Sequence, residues 1–287
     1  MVDPKRTMLA VEPMRSVIYG DCVREEYRIK LYEWLLKYHI EDSISQFGPY
    51  VTKYAFYFAL PRPEGSERWG AVRLHLCEHY WLCNPNDIAH FQHNKAFTER
   101  IPQEVARWQG NIPDVDAADL NLEGDIHREA KGTGSDDTRP FIFAFLPVWW
   151  ENDFKGAGRT IDDGPNYRWQ IILKYPDEAK KEADEWVINE LIKAFADCEE
   201  TNRILSSRVI KEANGCEFDR VIEIWFDGPE EWESCIKKVE AAVSKPAWAE
   251  DETFPYLRKN YSVQSIFVAD YATIDNMTQF RGYITMR

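Results

Sequence analysis

Apolar and polar residues alternate along this chain with two different periods, and the period switches in a regular order. Arg15–Asp21 reads as a short strand, and Cys22–His39 then places Tyr27, Leu31, Trp34, Leu35 and Tyr38 at helical spacing. Thr52–Leu60 (TKYAFYFAL) predicts a second strand, and the turn-rich PRPEGSERWG separates it from a third, Ala71–Leu82 (AVRLHLCEHYWL). A helix is expected from Asp87 to about Trp108, capped near Asn84–Asp87, and Phe141–Trp150 (FIFAFLPVWW) predicts the fourth strand. The order is β-α-β-β-α-β.

The second half repeats it. Tyr167–Tyr175 predicts a strand, and the helix begun by Pro176 and Asp177 carries Ala183, Val187, Leu191, Ala194 and Cys198 in steps of four and three. Arg203–Lys211 and Phe218–Phe226 predict a strand pair turning at Asn214 and Gly215. A helix with Trp232, Ile236, Val239 and Val243 on one side follows, and Val263–Tyr271 is the last strand. WLCNPND (Trp81–Asp87) lies over WFDGPEE (Trp225–Glu231), which sets His79 on Glu223 at the same strand-to-helix junction. The expected organisation is a unit over 1–153, a linker over 154–166 and a second unit over 167–287 with a short tail. The acidic stretch 111–139 reads as an insertion before strand four, a surface loop or a lid.

Alternation on the third strand gathers Arg73, His75, Cys77, His79 and Trp81 on one face and Val72, Leu74, Leu76, Tyr80 and Leu82 on the other. Two imidazoles, a guanidinium, a thiol and an indole suit a pocket better than water. His75 and His79 lie roughly 13 Å apart by strand rise, too far to share a metal but close enough to touch one extended ligand. Imidazole ordinarily titrates at about 6.5, so these two are the expected acid and base. Arg73 would anchor a substrate anion, Trp81, Tyr57 and Trp225 would wall the site, and Glu223 would orient an imidazole. That arrangement takes the ligand to lie between the sheets; a pocket between sheet and helices is the alternative, with Glu78, Tyr80, Arg220 and Asp270 as its candidates. Cys77 reads either as a nucleophile or as a small buried apolar group. His90 and His93 have helical metal spacing but no third ligand, so no metal is expected.

FDRVIEIWFDGPEEWESCIKKVEAAVSKPAW followed by SIFVADYAT resembles the third strand, second helix, Pro-Ala turn and fourth strand of the dimeric α+β barrel superfamily, which includes EthD-like, stress-responsive and polyketide-cyclase-like proteins. The resemblance implies an α+β fold in which two ferredoxin-like units of one chain pack their sheets into an intramolecular barrel. Among cyclase-like members an Asp on the fourth strand supports a His on the third. Asp270 matches that Asp, but Arg220 stands nearest the His position, so the pair is not carried over and the first half is expected to hold the chemistry. The fold hosts many reactions, haem-dependent ones among them, so function must come from the site.

Composition narrows the field. A net charge of -14 argues against nucleic acid or an anionic membrane as partner, and no apolar run reaches the roughly 20 residues of a membrane helix. The N-terminal MVDPKRTMLAVEP has no signal-peptide centre, so a soluble cytoplasmic protein is expected; its six cysteines, without CxxC spacing, are read as free thiols. GxGxxG, GxxxxGK[ST], HExxH and GxSxG are all absent. With 11 Trp, 14 Tyr and 15 Phe, the chain has rings to line a cavity for a flat ligand. The expectation is a cofactor-independent lyase or isomerase acting on a planar phenolic or polyketide-like acid. A non-catalytic aromatic-binding protein and a haem enzyme are the alternatives, and pairing into a homodimer is left open.

Overall fold

A computed structural model describes residues 14–21, 28–47, 51–72, 75–81, 142–210, 217–259, 261–271 and 275–277. The first unit comprises β1 (Met14–Asp21), a helix α1 built of Arg28–Trp34, a π-turn Leu35–His39 and Ile40–Phe47, then β2 (Val51–Phe58), β3 (His75–Trp81) and β4 (Ile142–Lys155). The second comprises β5 (Tyr167–Leu173), a helix α2 built of Lys180–Trp186, a π-turn Val187–Leu191 and Ile192–Asp197, then β6 (Arg203–Val209), β7 (Arg220–Phe226), α3 (Pro229–Ala242) and β8 (Val263–Ala269). The helix expected over 87–108 and the insertion 111–139 lie outside the described residues. The first helix departs from expectation: it runs to Phe47 rather than His39, because Ile40–Phe47 continues the apolar stripe with Ser43 buried. In both units the π-turn follows a first segment of 7 residues, a second mark of duplication.

One eight-stranded antiparallel sheet has the order β2-β3-β1-β4-β6-β7-β5-β8, so each half repeats a single four-strand order and β4 pairs with β6 across the join. At the other end, the segment after β2 reaches β8: Leu60 N–H donates to Phe267 O at 2.8 Å and Val72 N–H to Ser265 O at 2.9 Å. The same segment carries Trp69 into the second unit, where its ring meets Trp169 edge-on at 4.8 Å and Phe254 at 5.4 Å.

The sheet has two faces. On the outer face of the second unit, Trp169, Ile171, Leu173, Ile222, Ile224 and Phe226 form a dry core with Val187, Leu191 and Phe195 of α2. Trp232, Cys235, Ile236 and Val239 of α3 complete it, spaced three and four apart after Pro229 sets the first turn. The inner faces of the two units meet each other through Val17, Tyr57, Leu76, Ile172, Val221, Ile266 and Val268. No helix among the described residues is long and apolar enough to cross a membrane.

Candidate functional site

The strand registers fix which residues of the two units correspond. Arg15 pairs with Tyr80 and Val17 with Glu78 in the first unit, while Arg168 pairs with Trp225 and Gln170 with Glu223 in the second. Glu78 therefore corresponds to Glu223, Tyr80 to Trp225, Arg15 to Arg168, and His79 to Ile224. The sequence expectation that His79 corresponds to Glu223 is off by one residue, and on a strand such a slip exchanges the faces. His75, Cys77 and His79 accordingly lie on the outer face, under α1, and not between the halves of the sheet with Glu223.

The outer face of the first unit differs from its counterpart in which polar groups it buries. His75, Cys77 and His79 occupy the places of Arg220, Ile222 and Ile224, and Ser16, Ile18 and Gly20 those of Trp169, Ile171 and Leu173. Both imidazoles are buried, His75 with 2% and His79 with 4% of its surface exposed. His79 stacks on Tyr54 with centroids 4.8 Å apart, its Nδ1 is 3.1 Å from the Ser16 hydroxyl, and its Nε2 is 3.7 Å from Cys77 Sγ. His75 leans on Phe56 at 5.3 Å and lies over Gly20, where an added Cβ would come within 2.1 Å of Cε1. Its Nδ1 is buried with no hydrogen-bond partner among the described residues.

Burial, reinforced by repulsion from His39, lowers both imidazoles from 6.5 to about 3, although Glu78 pulls His79 slightly the other way. They do not titrate near neutrality as the sequence suggested; they are neutral there, each with one N–H donor and one acceptor nitrogen. Burial also raises the Cys77 thiol well above its ordinary range, which makes it a small buried group rather than a thiolate.

The inner face carries a second cluster. Arg168 Nη1 donates to Glu78 Oε1 at 3.0 Å and to Glu223 Oε2 at 3.2 Å. Arg15 Nη2 donates to Glu223 Oε1, and its Nη1 is 3.5 Å from Glu78 Oε1. The four charges thus form a closed alternating ring, with each unit contributing one Arg and one Glu. The Gln170 amide donates to Glu78 at 3.1 Å and Glu223 at 2.7 Å, and it accepts from the Tyr19 hydroxyl at 2.6 Å. Burial would raise the Glu78 carboxyl, but Arg168, Lys53, Arg15 and the Gln170 hydrogen bond outweigh it and hold it at about 2.

Tyr57 and Trp225, expected beside the histidines, belong to this inner cluster: the Arg168 guanidinium lies 4.4 Å from one ring centroid and 5.7 Å from the other. Tyr80 is also inner, under Lys53 at 5.1 Å, just as Trp225 lies 5.1 Å from Arg203. Asp270 stands 3.9 Å from Arg168 Nη1. Arg220 faces α2, forked onto Asp184 at 2.8 and 3.1 Å, with Ser206 at 2.8 Å. Arg73, the Trp81 side chain, His90 and His93 lie outside the described residues. Arg15, Ser16, Arg168 and Gln170 were missed; pairing Glu78-x-Tyr80 with Glu223-x-Trp225, instead of Trp81 with Trp225, would have exposed them. Among the described residues no three His, Cys, Asp or Glu side chains gather closely enough to hold a metal ion.

The sequence model of the chalcone isomerase N-terminal domain matches residues 11–114, little more than a third of the chain. No curated protein matches the sequence. Among solved structures, an anthrone oxidase-like protein superimposes with a TM-score of 0.50 over 91% of this chain and 92% of its own, at 9% identity. This likeness speaks to the fold: a mixed α+β architecture common to both. A chlorite dismutase from Candidatus Nitrospira defluvii covers 94% and 96% at 8% identity, but its TM-score of 0.42 is too low to argue from.

Proposed function

We propose that this chain is an enzyme of intramolecular α+β barrel architecture whose first unit isomerises a planar phenolic compound without a cofactor. One observation carries the reading: between sheet and helix the two units share a topology, yet His79, Cys77 and Ser16 stand where the other unit has Ile224, Ile222 and Trp169, and a buried imidazole, His75, replaces the ion-paired Arg220. Buried imidazoles destabilise a fold relative to aliphatic packing, so their presence in one copy alone argues for use. The match to a chalcone isomerase domain covers this region and supports an isomerase of aromatic substrates.

The chemistry suits neutral imidazole. In ring closure of a phenolic enone, the phenol oxygen gives up its proton to solvent water and bonds to the β-carbon, the double-bond electron pair moves into an enolate, and the α-carbon takes a proton back from solvent water. Atoms and charge balance, and no electrons are exchanged, so neither haem nor another redox group is required. A neutral imidazole N–H can hold the enolate oxygen as it forms. His75 Nδ1, which has no hydrogen-bond partner among the described residues, is the ring atom that a substrate oxygen would engage, and His79 Nε2 stands beside Cys77 Sγ on the same strand face. Ser16, on the other nitrogen of His79, sets its ring orientation.

Closure of a 2′-hydroxychalcone, followed by absorbance, tests this. His79→Ala and the His75→Ala, His79→Ala pair are expected to lower turnover by about 10²-fold or more. Equal turnover in a double variant that still melts cooperatively would remove both residues from the reaction.

A further inference from the structure

The inner face holds a donor pair that the charged ring leaves unused. Arg168 spends Nη1 on both carboxylates, Glu78 and Glu223, and leaves Nε and Nη2 buried with no hydrogen-bond partner among the described residues. These two N–H groups lie on one edge of the guanidinium, parallel and spaced to meet the two oxygens of a carboxylate. The side chain is 2% exposed. A buried donor pair of this kind is rarely left empty, because each unmade bond there costs as much as a lost one.

Its surroundings describe what would fill it. The Tyr57 ring lies 4.4 Å and the Trp225 ring 5.7 Å from the guanidinium, so a flat ligand on the same edge would meet aromatic surface. Two acceptors close to Arg168 are also buried and without a hydrogen bond, Glu78 Oε2, which has Lys53 Nζ 3.6 Å away, and Asp270 Oδ1, and these call for a ligand that donates as well as accepts. The ring of Arg15, Arg168, Glu78 and Glu223 sums to zero charge. Lys53, 25% exposed, and Asp270, 13% exposed, stand nearer water and mark the way in.

We infer that the Nε/Nη2 edge of Arg168 is a binding fork for a small planar carboxylate bearing a hydroxyl, seated against Tyr57 and Trp225 with the hydroxyl toward Glu78 or Asp270. This site is on the opposite face of the sheet from His75 and His79 and does not depend on their role.

The test is a titration of the full-length protein with 4-hydroxybenzoate, followed by the ¹H–¹⁵N signals of arginine Nε. One buried signal, assigned to Arg168 by its absence in Arg168→Lys, is expected to shift and saturate in the wild type. Arg168→Lys keeps a cation for Glu78 and Glu223 but removes the fork, and is expected to bind at least about tenfold more weakly when ligand binding is read from tryptophan fluorescence. A wild-type signal that does not shift or does not saturate would mean that the edge holds water alone and would overturn the proposal. So would equal affinity in Arg168→Lys. Should that variant fail to fold, assignment passes to Tyr57→Phe and Trp225→Phe, whose ring changes move the same signal, and the wild-type titration decides. Ring-closure turnover is not the readout, so the result stands whatever the fate of the histidine reading.

Discussion

His75 and His79 show how environment rewrites a residue's role. Their spacing and shared face were legible in the alternation of HLCEHYW, but their titration was not, because it depends on burial that a sequence does not state. Each binds a proton more readily unfolded, at 6.5, than folded, at about 3, so protonation favours unfolding. Their contribution to stability is therefore intact above pH 6.5, erodes as pH falls through that window, and is gone by about 3. Melting temperature is expected to start falling just below pH 6.5, well before Glu78 protonates, and the fall should be shallower in His75→Phe; a flat profile down to pH 5 would contradict these shifts. Gly20 belongs to the same account: Gly20→Ala drives a methyl into the His75 ring, and a loss of about 1–3 kcal/mol in urea unfolding is expected.

At the scale of elements, the alternating period alone marks out all eight strands, each within a few residues of its expected bounds. What failed was the register between the copies. Trp81 and Trp225 invited superposition, yet Trp81 corresponds to Phe226, and that single step placed His79 in the company of Glu223. The true correspondence, Arg15 with Arg168 and Glu78 with Glu223, joins the two halves through the charged ring. Removing one member strands a buried charge. Glu223→Gln is expected to cost about 3 kcal/mol or more in chemical denaturation, and a cost below about 1 kcal/mol would show the ring to be energetically idle.

Across the whole molecule, the two units are tied at both ends of the sheet, by the β4–β6 pairing and by the segment between β2 and β3 that reaches β8. Trp69 drives that second tie into the aromatic core, and nothing in PRPEGSERWG announced it, because its partners Trp169 and Phe254 are far away in sequence. Trp69→Ala is expected to cost about 3–5 kcal/mol, with the loss appearing in the melting of both units together. Imidazole ¹⁵N spectra of the full-length protein, recorded from pH 5 to 8 with and without a flavanone, test most directly the role of His75 and His79 on the outer face of the first unit. The account predicts that the His75 and His79 signals keep their neutral positions across the range and shift when the flavanone binds. Titration of either ring near 6.5, or no response to the ligand, would contradict it.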